Sequence, residues 1–341
     1  MIYIDSPVCA WHVTQSKLKD TDNYSVAIFH IPFPFDDNFS EKINNAINEF
    51  QHVVILCSEL HRVTVDFILE NQHPKITYFV CGFVSDVKVY QWMDWLHTSL
   101  EFYQSRPELL AQLNPYETKP LLFDILLGCT RRHRDIVYDY IKQYQLESMC
   151  IMSYYRYAHK PLANNNNFIF EDNIKIDNSV THTVGLVEYH GENVNLSKII
   201  PISIYNQTAY SIVTETNAEN DFTFYTEKIV KPMLSKRLFI VIAGYNYLKN
   251  LRSLGFKTFD GIINEGYDDI KDNDSRYIAA CEQIKVLSQL PQEEVLAKIK
   301  PIVEHNYNIL TSTDWVEQMH TNLRSTIDAT YILQQSSSVQ F

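Results

Sequence analysis

Between Ala209 and Gly244 the chain sets down a buried strand, a polar loop, a helix and a second buried strand in direct succession. Ala209-Tyr210-Ser211-Ile212-Val213 is an apolar, β-branched run of the kind covered on both faces, and it ends at Thr214-Glu215. From Glu227 the apolar residues Ile229, Val230, Met233 and Leu234 follow a helical period. Thr226 stands at the N-cap position, and Pro232 comes early enough in the helix to be tolerated. Leu238–Ile242 is the second strand, closing at Ala243-Gly244. Strand, helix, strand is the unit of an open parallel sheet, whose ligands bind beyond the carboxyl ends of the strands. There, Glu227 can hold a pair of ribose hydroxyls, while Lys228 and the free N–H groups of the helix start face a phosphate.

A second junction of the same kind follows the lapse in apolar periodicity at Asn114–Pro120, the best linker in the chain. Leu121–Gly128 reads as the first strand of a new domain. Cys129-Thr130-Arg131-Arg132-His133-Arg134-Asp135 comes next, and then a helix over Ile136–Tyr144. Cations at a helix amino terminus oppose the helix dipole, so an anion partner explains Arg131, Arg132 and Arg134 better than a solvated basic helix start does. Arginine forks suit a diphosphate leaving group. Sequence alone leaves open which of the three meets it. Tyr205-Asn206 precedes the central strand and is a candidate contact for the base or the sugar, and Glu215 is a further donor-side candidate.

The paired segments YSIVTET and DFTFYTEK resemble the donor-nucleotide signature of the α1,3-fucosyltransferase-like glycosyltransferases of the GT-B type. LLGCTRRHRDIVYDYI is similar to the opening of their donor domain. The resemblance covers roughly residues 121–269 and implies an α/β fold of two Rossmann-like domains facing across a cleft. It assigns residues 1–118 to an acceptor-side domain, 119–315 to the nucleotide-sugar domain, and 316–341 to a terminal helix crossing back and a tail. It implies inverting sugar transfer from a GDP- or UDP-linked donor, GDP-fucose-like by analogy, to a hydroxyl on a glycan or other acceptor.

In that family a strand of the first domain ends in a glutamate held to be the general base, and VVILCSE places Glu59 there. Inversion needs the acceptor hydroxyl to lose its proton during attack, and a positioned carboxylate can take it. The alternative for Glu59 is a cap on the helix near Val63–Leu69, with His61 as a substitute base. Trp11 and His12, in a loop after the first short strand, are either surface packing or acceptor contacts.

Further strands are expected at Val26–Ile31, Val53–Cys57, Ile76–Cys81, Ser148–Tyr154, Ile199–Ile204 and Lys257–Asp260. Helices are expected at Phe39–Phe50, Trp92–Tyr103, Tyr245–Leu254, Ala279–Leu290, Glu293–Leu310 and Asp314–Ile332, with a disordered tail over Gln334–Phe341 and a loop-rich insertion around Asn164–Asn167.

Composition narrows the field. A net charge of −12 argues against a broad sequence-independent grip on nucleic acid. A phage-type transferase acting on a hydroxymethylated DNA base is therefore the lesser enzymatic alternative, and an inactive nucleotide-binding relative is a third. Six cysteines without a CxxC pair read as reduced thiols of a cytoplasmic protein, and no run of eighteen apolar residues offers a membrane span. Asp268-Asp269 and Asp272–Asp274 lie in a late loop and read as solvent-facing, so neither a metal nor any other cofactor is expected. No GxGxxG occurs, which leaves a dinucleotide oxidoreductase unsupported.

Overall fold

A computed structural model describes residues 2–5, 25–31, 38–92, 94–154, 168–171, 174–176 and 186–338. The chain forms an α/β protein of two compact units, residues 1–94 with 314–341, and residues 95–313. The change of unit falls at residues 94/95, so the Asn114–Pro120 stretch lies inside the second unit. Trp11, His12 and Asn164–Asn167 are outside the described residues.

In the first unit, β1 (Ile2–Asp5), β2 (Val26–His30), β3 (His52–Cys57), β4 (Ile76–Val80) and β5 (Tyr90–Gln91) form a parallel sheet whose spatial order follows the chain. β3 is buried at every position because parallel sheets are covered on both faces. Helix α1 (Phe39–Glu49) links β2 to β3 and buries Phe39, Ile43 and Ala46, which recur at helical spacing. Helix α2 (Arg62–Glu70) links β3 to β4 and buries Val65, Phe67 and Ile68. Among the described strands of this sheet the order never reverses.

The second unit behaves differently. β6 (Leu121–Leu127), β7 (Cys150–Tyr154), β8 (Thr208–Thr214) and β9 (Phe239–Ile242) are parallel in the order β9-β8-β6-β7. After β6 the chain runs through α3 (Arg132–Gln143) to β7 on one flank, then returns past β6 to β8, α4 (Glu227–Leu234) and β9. The strand order therefore reverses between β6 and β8. Helices α5 (Tyr247–Ser253), α6 (Asn273–Ser288) and α7 (Gln292–Ser312) complete the unit, and α8 (Trp315–Ser338) groups with the first unit. No helix of the described residues is long and apolar enough to cross a membrane.

Two local features set the second sheet. Gly244 follows β9 where a Cβ would lie 2.2 Å from the Glu219 carbonyl oxygen, so only glycine lets the loop after β8 close over β9. In the amino-terminal half of the sheet Arg237 is enclosed. It donates to Asp124 Oδ2 (2.7 Å), Ser211 Oγ (3.1 Å) and the carbonyls of Tyr205 (2.8 Å) and Thr208 (2.7 Å), and its guanidinium lies 4.2 Å from the Tyr205 ring centroid. Asp124 also accepts from Ser211 Oγ at 2.9 Å. The pair ties β6 and β8 to the segment entering β9.

Several expectations are corrected. Ile199–Ile204 is not a strand. Its end coils into a short helix, Ile202–Tyr205, because Pro201 has no N–H for a ladder and instead takes the helix N-cap position. Lys257–Asp260 forms no strand either, only an isolated bridge between Asp260 and Ile263. Helix α3 starts at Arg132 rather than Ile136, and α6 starts at Asn273 because Asp272 caps it through Ser275 N–H at 2.9 Å. Asp268 is buried rather than solvent-facing, accepting from the Leu248 and Lys249 N–H groups at 2.9 and 2.8 Å. Asp274 pairs with Arg132. The last helix runs to Ser338, past the start of the expected tail. Cys57, Cys81 and Cys281 are buried and Cys129 and Cys150 half-buried, and none of these five is in a disulfide.

His52 opens β3 with 3% of its surface exposed and neither ring nitrogen hydrogen-bonded. Burial pulls its pKa from 6.5 down to about 4. The folded state thus favours neutral His52: that stability is complete above pH 6.5 and is lost as pH falls through about 4. In urea titrations, His52→Leu should flatten the rise of unfolding free energy between pH 4.5 and 6.5 by up to about 1.4 kcal/mol per pH unit, the worth of one proton. An unchanged slope would mean that His52 is not held neutral by the fold.

Candidate functional site

The crevice beyond the carboxyl ends of β6 and β8 is where an open parallel sheet reverses its order, and such switch points are where these sheets bind ligands. The loop after β6 and the loop after β8 meet there. His133 Nε2 lies 2.9 Å from the Glu215 carbonyl oxygen, which can only accept, so Nε2 carries the proton. Burial first, and then the neighbouring Arg134, hold the His133 pKa down to about 3, which keeps the ring neutral. Arg134 donates to the carbonyls of Cys129 (2.8 Å) and Glu215 (3.2 Å). A Cβ on Gly128, the residue after β6, would lie 3.0 Å from Arg134 Nη1, so a larger residue there would crowd this guanidinium.

Glu215 is the hub of the site and is fully enclosed. Its Oε2 accepts from Thr226 Oγ1 (2.5 Å) and Thr216 N–H (3.3 Å), and its Oε1 from Tyr247 O–H (2.6 Å) and Thr226 N–H (3.4 Å). Burial raises its pKa, against the pull of Lys228 and of the Thr226 and Tyr247 hydroxyls. With no surface left for a ligand, Glu215 positions the start of α4, the start of α5 and the β6–α3 junction rather than touching a substrate.

The three arginines separate by environment. Arg132 is exposed and spends its guanidinium on Asp274, with Nε at 2.7 Å from Oδ1. Arg134 is enclosed behind the loop, and burial lowers its pKa. Arg131 is half-buried at the N-cap of α3. It donates through Nη1 to Asn217 Oδ1 at 3.2 Å, and its buried Nε has no hydrogen-bond partner among the described residues. Of the three, Arg131 alone is partly accessible without being held by a carboxylate ion pair among the described residues.

At the start of α4, Thr226 accepts from the Lys228 N–H at 3.3 Å and caps the helix as the sequence indicates. Lys228 Nζ lies 3.0 Å from Glu227 Oε1, 3.0 Å from Thr216 Oγ1 and 3.3 Å from Thr226 Oγ1. Burial pushes the Glu227 carboxyl up, but Lys228 and Lys231 beside it outweigh that, and its pKa falls below the usual glutamate value. Lys228 and Glu227 both keep part of their surface open.

Tyr205 and Asn206 are not brought to this crevice. They precede the amino end of β8, and seven residues at about 3.3 Å each put roughly 20 Å between them and Glu215. Tyr205 packs on Arg237. Asn206 accepts from Asn114 N–H at 3.1 Å and donates to the Gln112 carbonyl at 2.9 Å, fastening the segment that leads into β6.

In the first unit, Glu59 lies just past the carboxyl end of β3 with 56% of its side chain exposed. Its Oε2 is 2.9 Å from His61 Nε2. Thr64 and His61, not Glu59, form the cap of α2, with His61 N–H donating to Thr64 Oγ1 at 2.8 Å. Beside them His30 Nε2 lies 2.9 Å from Ser58 Oγ.

Sequence reasoning missed Tyr247, His133 as a structural donor, and Lys231. Tyr247 and His133 carry no local signal, and their roles follow from contacts with residues far away in the chain. Lys231 could have been found, standing four residues after Glu227 on the same helical face. Comparison of the chain with protein-family models, with curated proteins and with solved structures finds no match.

Removing the hub should cost more than removing an exposed arginine. Glu215→Ala leaves the Thr226 and Tyr247 hydroxyls without their acceptor and should destabilise the protein by about 3 kcal/mol or more in urea unfolding, whereas Arg132→Ala, on the solvent-exposed side, should leave the unfolding midpoint near that of the parent. Equal effects of the two substitutions would contradict the hub assignment.

Proposed function

We propose that the protein is an inverting glycosyltransferase of the GT-B type, its second unit binding a nucleoside-diphosphate sugar at the β6/β8 switch point and its first unit supplying the proton acceptor. The reading is supported above all by one observation. The reversal of strand order brings Arg131, the capped start of α4 and Lys228 to a single crevice. A diphosphate there meets a half-buried guanidinium and an ammonium at the start of a helix, while Glu227 is held ionised to accept from ribose hydroxyls. As the sugar leaves, negative charge builds on the diphosphate oxygens, and these cations stabilise it. The short signature shared with α1,3-fucosyltransferase-like enzymes points to the same residues, Glu227 and Lys228.

The first unit's part rests on Glu59. Its carboxylate is open to an acceptor and steadied by His61, a suitable arrangement for taking a proton from a hydroxyl attacking the anomeric carbon. The acceptor itself is a hydroxyl-bearing molecule, a glycan or another.

Two measurements test this reading. In thermal-shift and calorimetric screens of GDP, UDP, ADP and their sugars, one nucleoside diphosphate at a hundredfold its Kd should add about 2.7 kcal/mol of stability, and Arg131→Ala should weaken it by about 1.5–3 kcal/mol while Arg134→Ala mainly lowers the melting temperature. In transfer assays with the sugar so identified, Glu59→Gln should keep donor affinity and melting temperature and lose about 10²–10⁴ in turnover. Absence of binding by every nucleotide would falsify the donor assignment, and retained turnover in Glu59→Gln would remove the base.

A further inference from the structure

The ammonium of Lys228 has three N–H bonds, and three protein oxygens take them. Nζ lies 3.0 Å from Glu227 Oε1, 3.0 Å from Thr216 Oγ1 and 3.3 Å from Thr226 Oγ1. With 25% of its side chain exposed, Lys228 stays within reach of a ligand, but a phosphate oxygen gains its hydrogen bond only by displacing one of the three. Two of them are costly to give up. Glu227 carries the opposite charge with only 17% of its side chain exposed, so losing the ammonium would leave an enclosed carboxylate unpaired. Thr226 is the N-cap of α4, accepting from the Lys228 N–H at 3.3 Å and donating its own proton to Glu215 Oε2 at 2.5 Å. Thr216 differs from both. It is a neutral hydroxyl on the half-buried loop after β8, and among the described residues Lys228 is the hydrogen-bond partner of its side chain. Its backbone is fixed separately, the N–H donating to Glu215 Oε2 at 3.3 Å, so the loop keeps its place when the hydroxyl turns away.

We propose that Thr216 is an autoinhibitory latch on Lys228, its hydroxyl holding the ammonium on the protein until a phosphate oxygen of the ligand takes its place. The proposal rests on the donor-site reading and adds the regulation of that site. The exchange swaps a neutral acceptor for an anionic one, so the ammonium gains a full opposite charge. The released hydroxyl lies on a half-buried loop and can turn to water. An uncharged ligand group, such as a nucleoside or a free sugar, offers Lys228 nothing better than Thr216 does. The latch therefore opens for phosphate and stays shut for these, and selectivity for charge comes from competition rather than from a contact between Thr216 and the ligand.

The sign of the effect decides the matter. A residue that touches the ligand, or merely supports the loop, weakens binding when its hydroxyl is removed, whereas a competing latch strengthens it. Thr216→Val keeps the shape and loses the acceptor. In calorimetry at pH 7 it should bind inorganic pyrophosphate, and GDP or UDP, whichever the parent takes, about twofold to tenfold more tightly than the parent, the worth of one hydrogen bond, with guanosine or uridine binding unchanged. Thr216→Ala removes the same acceptor by a second route and should shift affinity in the same direction. Thr216→Ser restores the acceptor and should stay within about twofold of the parent. In a Lys228→Met background, Thr216→Val should change nothing, because the two residues act through one bond. Equal or weaker pyrophosphate binding by Thr216→Val and Thr216→Ala would overturn the latch and leave the donor site standing. A gain that persists in Lys228→Met would place the competition elsewhere and also reject it, and a parent that binds neither nucleotide nor pyrophosphate would overturn the donor-site reading and the latch together.

Discussion

One enclosed carboxylate organises the carboxyl-terminal edge of the second sheet. Glu215 receives hydrogen bonds from Thr216, Thr226 and Tyr247 through its side chain, and from His133 and Arg134 through its carbonyl. The loop after β8, the start of α4, the start of α5 and the β6–α3 junction thus converge on a single residue. An acceptor-only group surrounded by donors fixes all of them at once, and a buried acceptor of this kind is expensive to leave unmatched. The orientation of Lys228 and the access left to Arg131 both depend on it.

The amino-terminal half of the same sheet is held by a different device. Arg237 and Asp124 bury a charge pair in which the carboxylate also accepts from Ser211 and the guanidinium also reaches two carbonyls. A pair so fully hydrogen-bonded need not add net stability over an apolar alternative, but it admits only one register of β6 against β8. That register sets how far each strand projects into the crevice. Fixed strand ends below and a fixed carboxylate above leave the exposed donors with little freedom to wander, which is the property a diphosphate site needs.

The elements that sequence revealed best are those whose signal is local. The apolar run at Thr208–Thr214, the capped helix from Glu227 and the strand at Phe239–Ile242 each follow from period and capping alone. Ile199–Ile204 misled because composition cannot separate a strand from a buried coil, and the decisive residue was Pro201. The site residues divide along the same line. Thr226, Glu227 and Lys228 stand where the helix start puts them. Glu215 and Arg134 carry the right chemistry, yet their enclosure comes from Tyr247 and Cys129 and from a glycine that leaves room, none of which a linear pattern ranks. Tyr205 and Asn206 were close in sequence to the site and lie at the wrong end of a strand. Asp124 and Arg237, 113 positions apart, could be seen only as an acid within an apolar run and a base beside one.

The most direct test of the central claim, that the β6/β8 switch point is a nucleoside-diphosphate site, is hydrogen–deuterium exchange of the full chain with and without saturating GDP or UDP. The account predicts slower exchange confined to residues 128–135, 214–217 and 226–231, with the amino-end segment 202–208 unchanged. Protection centred on 202–208, or binding that leaves the three switch-point segments unprotected, would contradict it.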